Sequence, residues 1–365
     1  MTDLAAALHH AHPELERVRR EAREPVYLVG GAVRDLLLGQ PRADVDLVVE
    51  GDAAALATRL GGASAEHDRF GTVKVEIEGH EVDIATARTE NYPEPGALPV
   101  VAPAESIEAD LGRRDFSVNA MAIPLEGEAR VIDPLAGQED LRQRLLRVLH
   151  PDSFLDDPTR AIRAARYASR YGFTLEPETD RLLRRSDLAT VSASRRRAEL
   201  ERLAAEPAGA VGIGLLAGWG LIDLRPNGAE LMQAVEDLLR VSHWGELVPR
   251  EQALIAAALG PEGSEDVLAS MWPPKPAEAV ELAERRDPVE LILARAMGAS
   301  WLDRYLTVWR NVELEIGGED LLAAGVPRGP AVGRGLRAAR AKKLEGEVSG
   351  FEEELAAALA AARTE

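Results

Sequence analysis

Strand-like patterning in this chain is confined to residues 25–135, and from Glu139 onward nearly every segment repeats its apolar residues with helical period. That switch predicts an α+β protein: a small mixed sheet with its own helices, followed by an all-helical remainder. VYLVGG (26–31) reads as a short apolar strand ending in glycines, and the helical pattern after it stops at Gly39. DVDLVVEG (44–51) is a second strand, DAAALATRLGG (52–62) a helix closed by paired glycines, and TVKVEIEGHEVDIATAR (72–88) a hairpin turning near Glu78 and Gly79. Residues 89–104 hold four prolines and a glycine and read as a loop long enough to suspect function. Helices are expected at 139–148, 157–171, 177–185, 194–205, 228–240 and 250–259. The last stretch, EEELAAALAAARTE, reads as a peripheral helix.

The 365 residues exceed one small core, so several domains are expected. The expected division is a helical extension at 1–24, a mixed α/β unit at 25–138 and helical segments at 139–205, 206–300 and 301–365. No run of about 20 apolar residues occurs, which argues against a membrane span. The N-terminal stretch lacks the basic start and apolar core of a signal peptide, so a cytoplasmic location is expected. Absence of cysteine excludes disulfides and thiolate metal sites. A formal charge of −19 argues against nucleic-acid binding by bulk charge. Arginines nonetheless crowd into 142–170 and 181–202, which leaves room for a local basic groove.

The chemistry concentrates in residues 30–51. Asp44 and Asp46 lie two apart on a strand, so both carboxylates face one side. Such a pair suits Mg²⁺ whose shell is completed by triphosphate oxygens, and two such ions would activate an attacking hydroxyl and stabilise the leaving pyrophosphate. Gly30 and Gly31 would let backbone N–H groups approach a phosphate at a helix N-terminus, and Arg34 would add a charge toward it. Asp83 is a candidate third carboxylate from a neighbouring strand. Asp35 would cap or pair with an arginine. Alone, each feature has a plainer reading: a solvated strand face, a turn, a surface acid. Their order and spacing give the set its weight.

GGxxRDxxxG followed by DxD resembles the signature of the nucleotidyltransferase superfamily that includes polymerase beta, in the form found in bacterial class II CCA-adding enzymes and their poly(A) polymerase relatives. GRRDFSVNAMAI (112–123) resembles the family's second motif, which implies ribose contact by Asp115, with Arg114 near the phosphates and Asn119 also at the nucleotide. VIDPLAGQEDLRQRLLRV (131–148) resembles the turn joining head to neck, built on Asp133 and Gly137. FLDDPTRAIRAARYASRYGF (154–173) resembles the motif that selects the incoming base, which implies that Asp157 and Arg160 imitate a base-pairing edge for C or A. Asp156 stands where glutamate is more frequent. Arg163 and Arg166 continue along the helix toward phosphate. VSASRRRAEL (191–200) resembles the last neck motif and is read as a helix cap that stabilises the neck, with Ser194 replacing the usual glutamate. Residues 318–348 resemble the tail, where Arg337, Arg340, Lys342 and Lys343 would hold tRNA backbone. His67, His80 and His150 show no metal-ligand spacing and are read as surface residues.

The resemblance implies a template-independent enzyme that uses two Mg²⁺ ions to add CCA to tRNA 3′ ends from CTP and ATP. tRNA is the partner, and no membrane or protein partner is implied. Addition of CC only, or of A only, fits the same motifs. In the family the switch from C to A depends on a flexible loop between the first two motifs, here residues 88–110, whose prolines would restrict it. Poly(A) synthesis fits less well. A nonenzymatic RNA-binding scaffold is opposed by the intact Asp44, Asp46, Asp115, Asp157 and Arg160.

Overall fold

The computed structural model describes residues 4–40, 44–61, 71–260, 268–270 and 275–363. They fall into two compact units, Met1–Ile222 and Asp223–Glu365. The first begins with α1 (Leu4–Ala11) and α2 (Leu15–Glu21). Then follow β1 (Val26–Val29), α3 (Gly31–Leu38), β2 (Val45–Val49), α4 (Ala53–Arg59), β3 (Thr72–Ile77), β4 (His80–Thr86), β5 (Arg88–Asn91), β6 (Val100–Pro103), α5 (Ile107–Gly112) and β7 (Ala122–Pro124). The main sheet has the order β3-β4-β2-β1-β7. β2 and β4 run parallel and the other pairs antiparallel, so the sheet is mixed.

Sequence period explains this sheet. Along β3, Val73, Val75 and Ile77 are buried while Lys74 and Glu76 are exposed, the alternation of a strand with one wet face. β1 and β2 lie in the middle and are almost continuously apolar. The β3–β4 turn uses Glu78 and Gly79, both at positive φ (53° and 80°), as a tight two-residue hairpin requires. Asp52 caps α4 by accepting from the amides of Ala54 and Ala55.

Residues 89–104 differ from the expected loop. β5 and β6 pair antiparallel in a small second sheet, Arg88 opposite Pro103 and Asn91 opposite Val100. The β5 residues are polar, so no apolar alternation marks them, and Pro103 is tolerated because it ends a strand of a two-stranded ribbon. Pro93, Pro95 and Pro99 fall in the connection.

The helical neck continues the same unit: α6 (Gly137–Gln143), β8 (Leu145–Leu146), α7 (Ser153–Asp156), α8 (Thr159–Tyr171), β9 (Thr174–Leu175), α9 (Pro177–Leu183), α10 (Ala193–Ala205) and α11 (Gly209–Gly218). The helix expected to run to residue 148 stops at Gln143, because Arg144 adopts a left-handed φ of 56° and the chain then pairs β8 with β9. Asp133 forms the expected turn, accepting from the amides of Gly137 (2.6 Å) and Gln138 (2.9 Å). One core runs from the sheet residues Leu28 and Leu47 through Phe116 to Phe154, Tyr167, Tyr171 and Phe173, so neck and sheet fold around shared apolar contacts.

The second unit is helical among its described residues, with helices that include Gly228–Leu239, Arg250–Leu259, Pro276–Ala283, Trp301–Thr307, Pro330–Leu344 and Gly350–Ala362. Trp244 is fully buried and its indole N–H donates to Asp303 at 2.9 Å. The last two helices pack through Ala339 and Ala358 with Leu321. Among the described residues no helix is long and apolar enough to cross a membrane.

Candidate active site

Between the sheet and α8 of the first unit lies an open cleft of about 970 Å³, lined by Gly30, Gly31, Arg34, Asp44, Asp46, Arg114, Asp115, Asn119, Asp157, Arg160, Arg163 and Arg166, among others. Every nucleotide-site candidate drawn from the sequence lines this one cleft except Asp83. Eight arginines and seven carboxylates line it. The overall acidity of the chain therefore does not extend to this surface, which keeps the positive charge a polyphosphate needs.

Asp46 sits on β2 and Asp44 just before it. Burial, reinforced by Asp83 and Asp44 although opposed by Arg114, pushes the Asp46 carboxyl up to about 6. Asp83 is level with Asp46 across the parallel β2–β4 ladder. Its carboxyl is also raised, first by burial, while Lys74 lies 3.6 Å from its Oδ1. Among the described residues no group of three or more His, Cys, Asp or Glu side chains could hold a metal by itself. The donor set is therefore an incomplete one. Mutually repelling carboxylates with a raised pKa fit a hard cation, and the missing ligands fit Mg²⁺ that takes the rest of its shell from water and phosphate. Asp44 and Asp46 are the residues that would hold it.

Gly30 has a left-handed φ of 67°. A Cβ there would meet Nη1 of Arg114 at 2.7 Å, so glycine is needed for the close approach of this arginine as well as for the turn. The Gly30 amide donates to the Met121 carbonyl at 3.2 Å, a bond that a phosphate would have to compete with. Arg114 pairs with the fully buried Asp110 at 3.0 Å, and its Nε is buried without a hydrogen-bond partner among the described residues.

Arg34 does not stand free. Its guanidinium donates to Asp35 (2.8 Å), to the Asn119 side chain (2.6 Å) and to the Tyr171 hydroxyl (2.6 Å), and it stacks 4.4 Å from the Tyr171 ring. It joins α3 to α8. Asp35 pairs with an arginine as expected, and accepts from Tyr171 as well.

Asp115 already receives several donors: its own turn amide at Phe116, the Asn119 side chain and the Arg163 guanidinium. A ribose hydroxyl would have to join or replace one of these. Burial alone would raise this carboxyl, yet Arg163 and Asn119 hold it down at about 2. The ionised Asp115 thus contributes stability above its ordinary pKa near 3.8, and that contribution is lost as pH falls through 2. Asp115→Asn is expected to cost about 2 kcal/mol at pH 7, with the gap closing below pH 4, as measured by urea unfolding at both pH values.

Asp157 begins α8. Its Oδ1 accepts from the Thr159 amide (3.0 Å), the Thr159 hydroxyl (2.7 Å) and Arg195 (3.0 Å). Arg160 is buried and donates to the Ser153 hydroxyl (2.5 Å) and the Arg113 carbonyl (3.0 Å). The pair is held, rather than being the exposed i,i+3 ion pair that the spacing alone would give. Arg163 binds Asp115 and the Tyr167 hydroxyl, and Arg166 stacks over the Tyr167 ring at 5.3 Å. Asp156 lies 3.9 Å from His150 and does not line the cleft. His67 lies outside the described residues, and His80 opens β4.

Ser192 caps α10 as expected, accepting from the Arg195 amide. Sequence reasoning missed Glu90 and Tyr92, which line the cleft from β5 and the residue after it. It also missed Tyr167 and Tyr171, whose aromatic spacing of four on α8 was the available signal. In the second unit, Arg340 donates to the carbonyls of Val312 and Arg310 and to Glu284, while Lys343 pairs with the buried Glu354 at 2.6 Å. Both are occupied within their own unit; Arg337 and Lys342 are exposed, and the Lys342 ammonium lies 3.8 Å from the equally exposed Glu347.

A model of the poly A polymerase head domain matches residues 26–147. The CC-adding tRNA nucleotidyltransferase of Deinococcus radiodurans is 34% identical over 90% of this chain and 87% of its own length. The CCA-adding enzyme of Geobacillus stearothermophilus is 32% identical over 90% of this chain and 91% of its own length. Three A-adding tRNA nucleotidyltransferases also match, but the chain spans only 41%, 20% and 46% of their lengths. Among solved structures, an apo CCA-adding enzyme superposes with a TM-score of 0.82 at 29% identity, covering 98% of both chains. The Thermotoga maritima CCA-adding enzyme complexed with tRNA gives 0.77 at 28%, again over 98% of each. Kinship that runs nearly end to end at these identities makes this chain a member of the tRNA nucleotidyltransferase and poly(A) polymerase family.

Proposed function

We propose that this protein adds C, C and A to tRNA 3′ ends from CTP and ATP without a nucleic-acid template, releasing pyrophosphate. The observation that carries the reading is the convergence in one cleft of the Asp44–Asp46 pair with the held Asp157–Arg160 pair. The first suits phosphoryl chemistry and the second suits reading a base edge. Relatives named for CC, A and CCA addition, and solved relatives complexed with ATP and with CTP, support it.

Asp44 and Asp46 would hold two Mg²⁺ ions, which when bound supply charge neutralisation at the triphosphate and lower the pKa of the 3′-hydroxyl. The chain's own residues do the rest. Arg114 and Arg166 grip phosphate oxygens, and the ionised Asp115 orients Arg163 and Asn119 at the sugar. Asp157 accepts from the exocyclic amine that C and A share in kind, and Arg160 donates to the adjacent ring acceptor. U and G present an oxygen where the amine should be, so they leave Asp157 facing another acceptor. In this reading Arg34 acts by holding α3 against α8. Exposed Arg337 and Lys342 are the tail residues that would meet tRNA backbone.

A second reading, addition of CC only, is favoured by one observation. Gly96, at the tip of the β5–β6 connection, is buried and donates to the carbonyls of Leu155 and Asp156 (3.2 Å each), while Arg195 donates to the Gly96 carbonyl at 2.8 Å. A tip so anchored opposes the flexibility that a switch from C to A requires. tRNAs ending before CCA, after C and after CC, each offered CTP or ATP, separate the two. The CCA reading predicts that AMP is added to the CC end. Stalling after CC supports the second reading, and no extension of any end refutes both.

A further inference from the structure

Gly96 is buried between exposed neighbours. Pro93, Glu94 and Pro95 are all exposed, as is Leu98, yet Gly96 turns inward. Its φ is +71°, and a Cβ on it would meet the Thr190 carbonyl oxygen at 2.7 Å and the Thr190 hydroxyl at 2.8 Å. Only glycine seats there without displacing backbone. The seat is the end of α7 on one side and the turn Leu188–Thr190 before α10 on the other.

Arg195 spans from this seat to the base-reading pair. Nη1 donates to the Gly96 carbonyl at 2.8 Å and Nη2 to Asp157 Oδ1 at 3.0 Å. The two other donors to Asp157 Oδ1, the amide and hydroxyl of Thr159, both come from the first residue of α8, two residues further along the same segment. Arg195 is the donor that reaches Asp157 from a different helix, and it ties the carboxylate to a loop tip 61 residues earlier in the chain. With Oδ1 so occupied, Oδ2 is the oxygen left for a ligand. A planar guanidinium that bonds two acceptors with separate nitrogens fixes the angle between them, which an ammonium cannot do.

We propose that Arg195 and Gly96 form a latch that sets the plane of the Asp157 carboxylate, so that Arg195 is a specificity-positioning residue for the choice of nucleotide. The inference rests on the function proposed above. An amine-reading carboxylate rejects UTP only while it is held within about half an ångström of its productive place. Once it swings free, it can turn away from the O4 oxygen of uracil, and discrimination falls.

The test measures binding and incorporation of CTP, ATP, UTP and GTP by the full chain with Mg²⁺ and tRNA lacking CCA. The proteins are the wild type, Arg195→Ala, Gly96→Ala and the double variant. The latch predicts that Arg195→Ala lowers the preference for CTP over UTP about tenfold, the size expected for one misplaced hydrogen bond. Gly96→Ala, with Arg195 intact, shifts it in the same direction, and the double variant is no worse than the larger single effect. Equal loss for all four nucleotides in Arg195→Ala, or a double effect equal to the product of the singles, overturns the proposal. Arg195→Gln, which keeps one donor at similar length, takes the place of Arg195→Ala if thermal unfolding shows that variant to be unfolded, and the same criteria apply. A wild type with no preference for CTP and ATP overturns the function itself and the latch with it; a selective wild type with unselective loss in the variants overturns the latch alone.

Discussion

Asp44→Ala, Asp46→Ala and the double variant are each expected to lose nucleotide incorporation by on the order of 10³-fold or more while remaining folded. The loss follows from the incompleteness of the site. Among the described residues no group of three or more His, Cys, Asp or Glu side chains is placed to hold a metal, so losing either carboxylate halves a donor set that is already short. Stability is expected to move the other way. The Asp46 carboxyl stands at about 6 in the fold, above its ordinary 3.8, because burial penalises its charge. A raised acid favours the protonated fold, so the penalty grows as pH rises from about 4 to 6 and is complete above that. In metal-free buffer at pH 8, Asp46→Asn should therefore unfold at higher urea than the wild type, by at most about 3 kcal/mol. At pH 4 the difference should vanish. An inactive Asp46→Asn that is also markedly less stable at pH 8 would contradict this account of the site.

The largest loss of stability is expected from Arg34. Its side chain is buried, bonds Asp35, Asn119 and Tyr171, and stacks on Tyr171. Arg34→Ala leaves Asp35 as a buried carboxylate whose other cation, Arg170, is 3.9 Å away. Removing one member of such a buried set costs about 3–5 kcal/mol. For a unit of this size that lowers Tm by roughly 10 °C or more. Arg34→Lys should recover less than half of the loss, because an ammonium cannot serve three acceptors placed around a planar fork. Tyr171→Phe, which removes one hydroxyl and keeps the ring, should cost about 1 kcal/mol. Calorimetry on the three variants checks the ranking, and an Arg34→Lys protein as stable as the wild type would refute it. Incorporation should fall in Arg34→Ala even where folded protein remains, since Asn119 loses the donor that orients it beside Asp115.

Asp44, Asp46 and Arg34 also mark what was legible in the sequence. Asp44 and Asp46 are two apart on an apolar strand, and strand period alone puts them on one face. The sheet, the Glu78–Gly79 turn and α8 are likewise local patterns, and they fold as their period predicts. Arg34 looked like a phosphate ligand because its partner Tyr171 lies 137 residues away, and no period links the two. β5 escaped detection because its four residues are polar and are held by pairing with β6 rather than by burial of one face. Arg195 read as part of a helix cap, and only tertiary contact brings it to Asp157. Local chemistry was readable, and the supporting contacts between distant segments were not.

The central claim is that Asp44 and Asp46 drive nucleotide addition chosen by side chains and not by a template. It is tested most directly by offering tRNA without its CCA end a mixture of all four nucleoside triphosphates with Mg²⁺ and sequencing the product ends. The account predicts that only C and A are added, in that order where both appear, with one pyrophosphate released per nucleotide and none by the Asp44→Ala, Asp46→Ala double variant. Addition of U or G at comparable rates, or extension by the double variant, would contradict it.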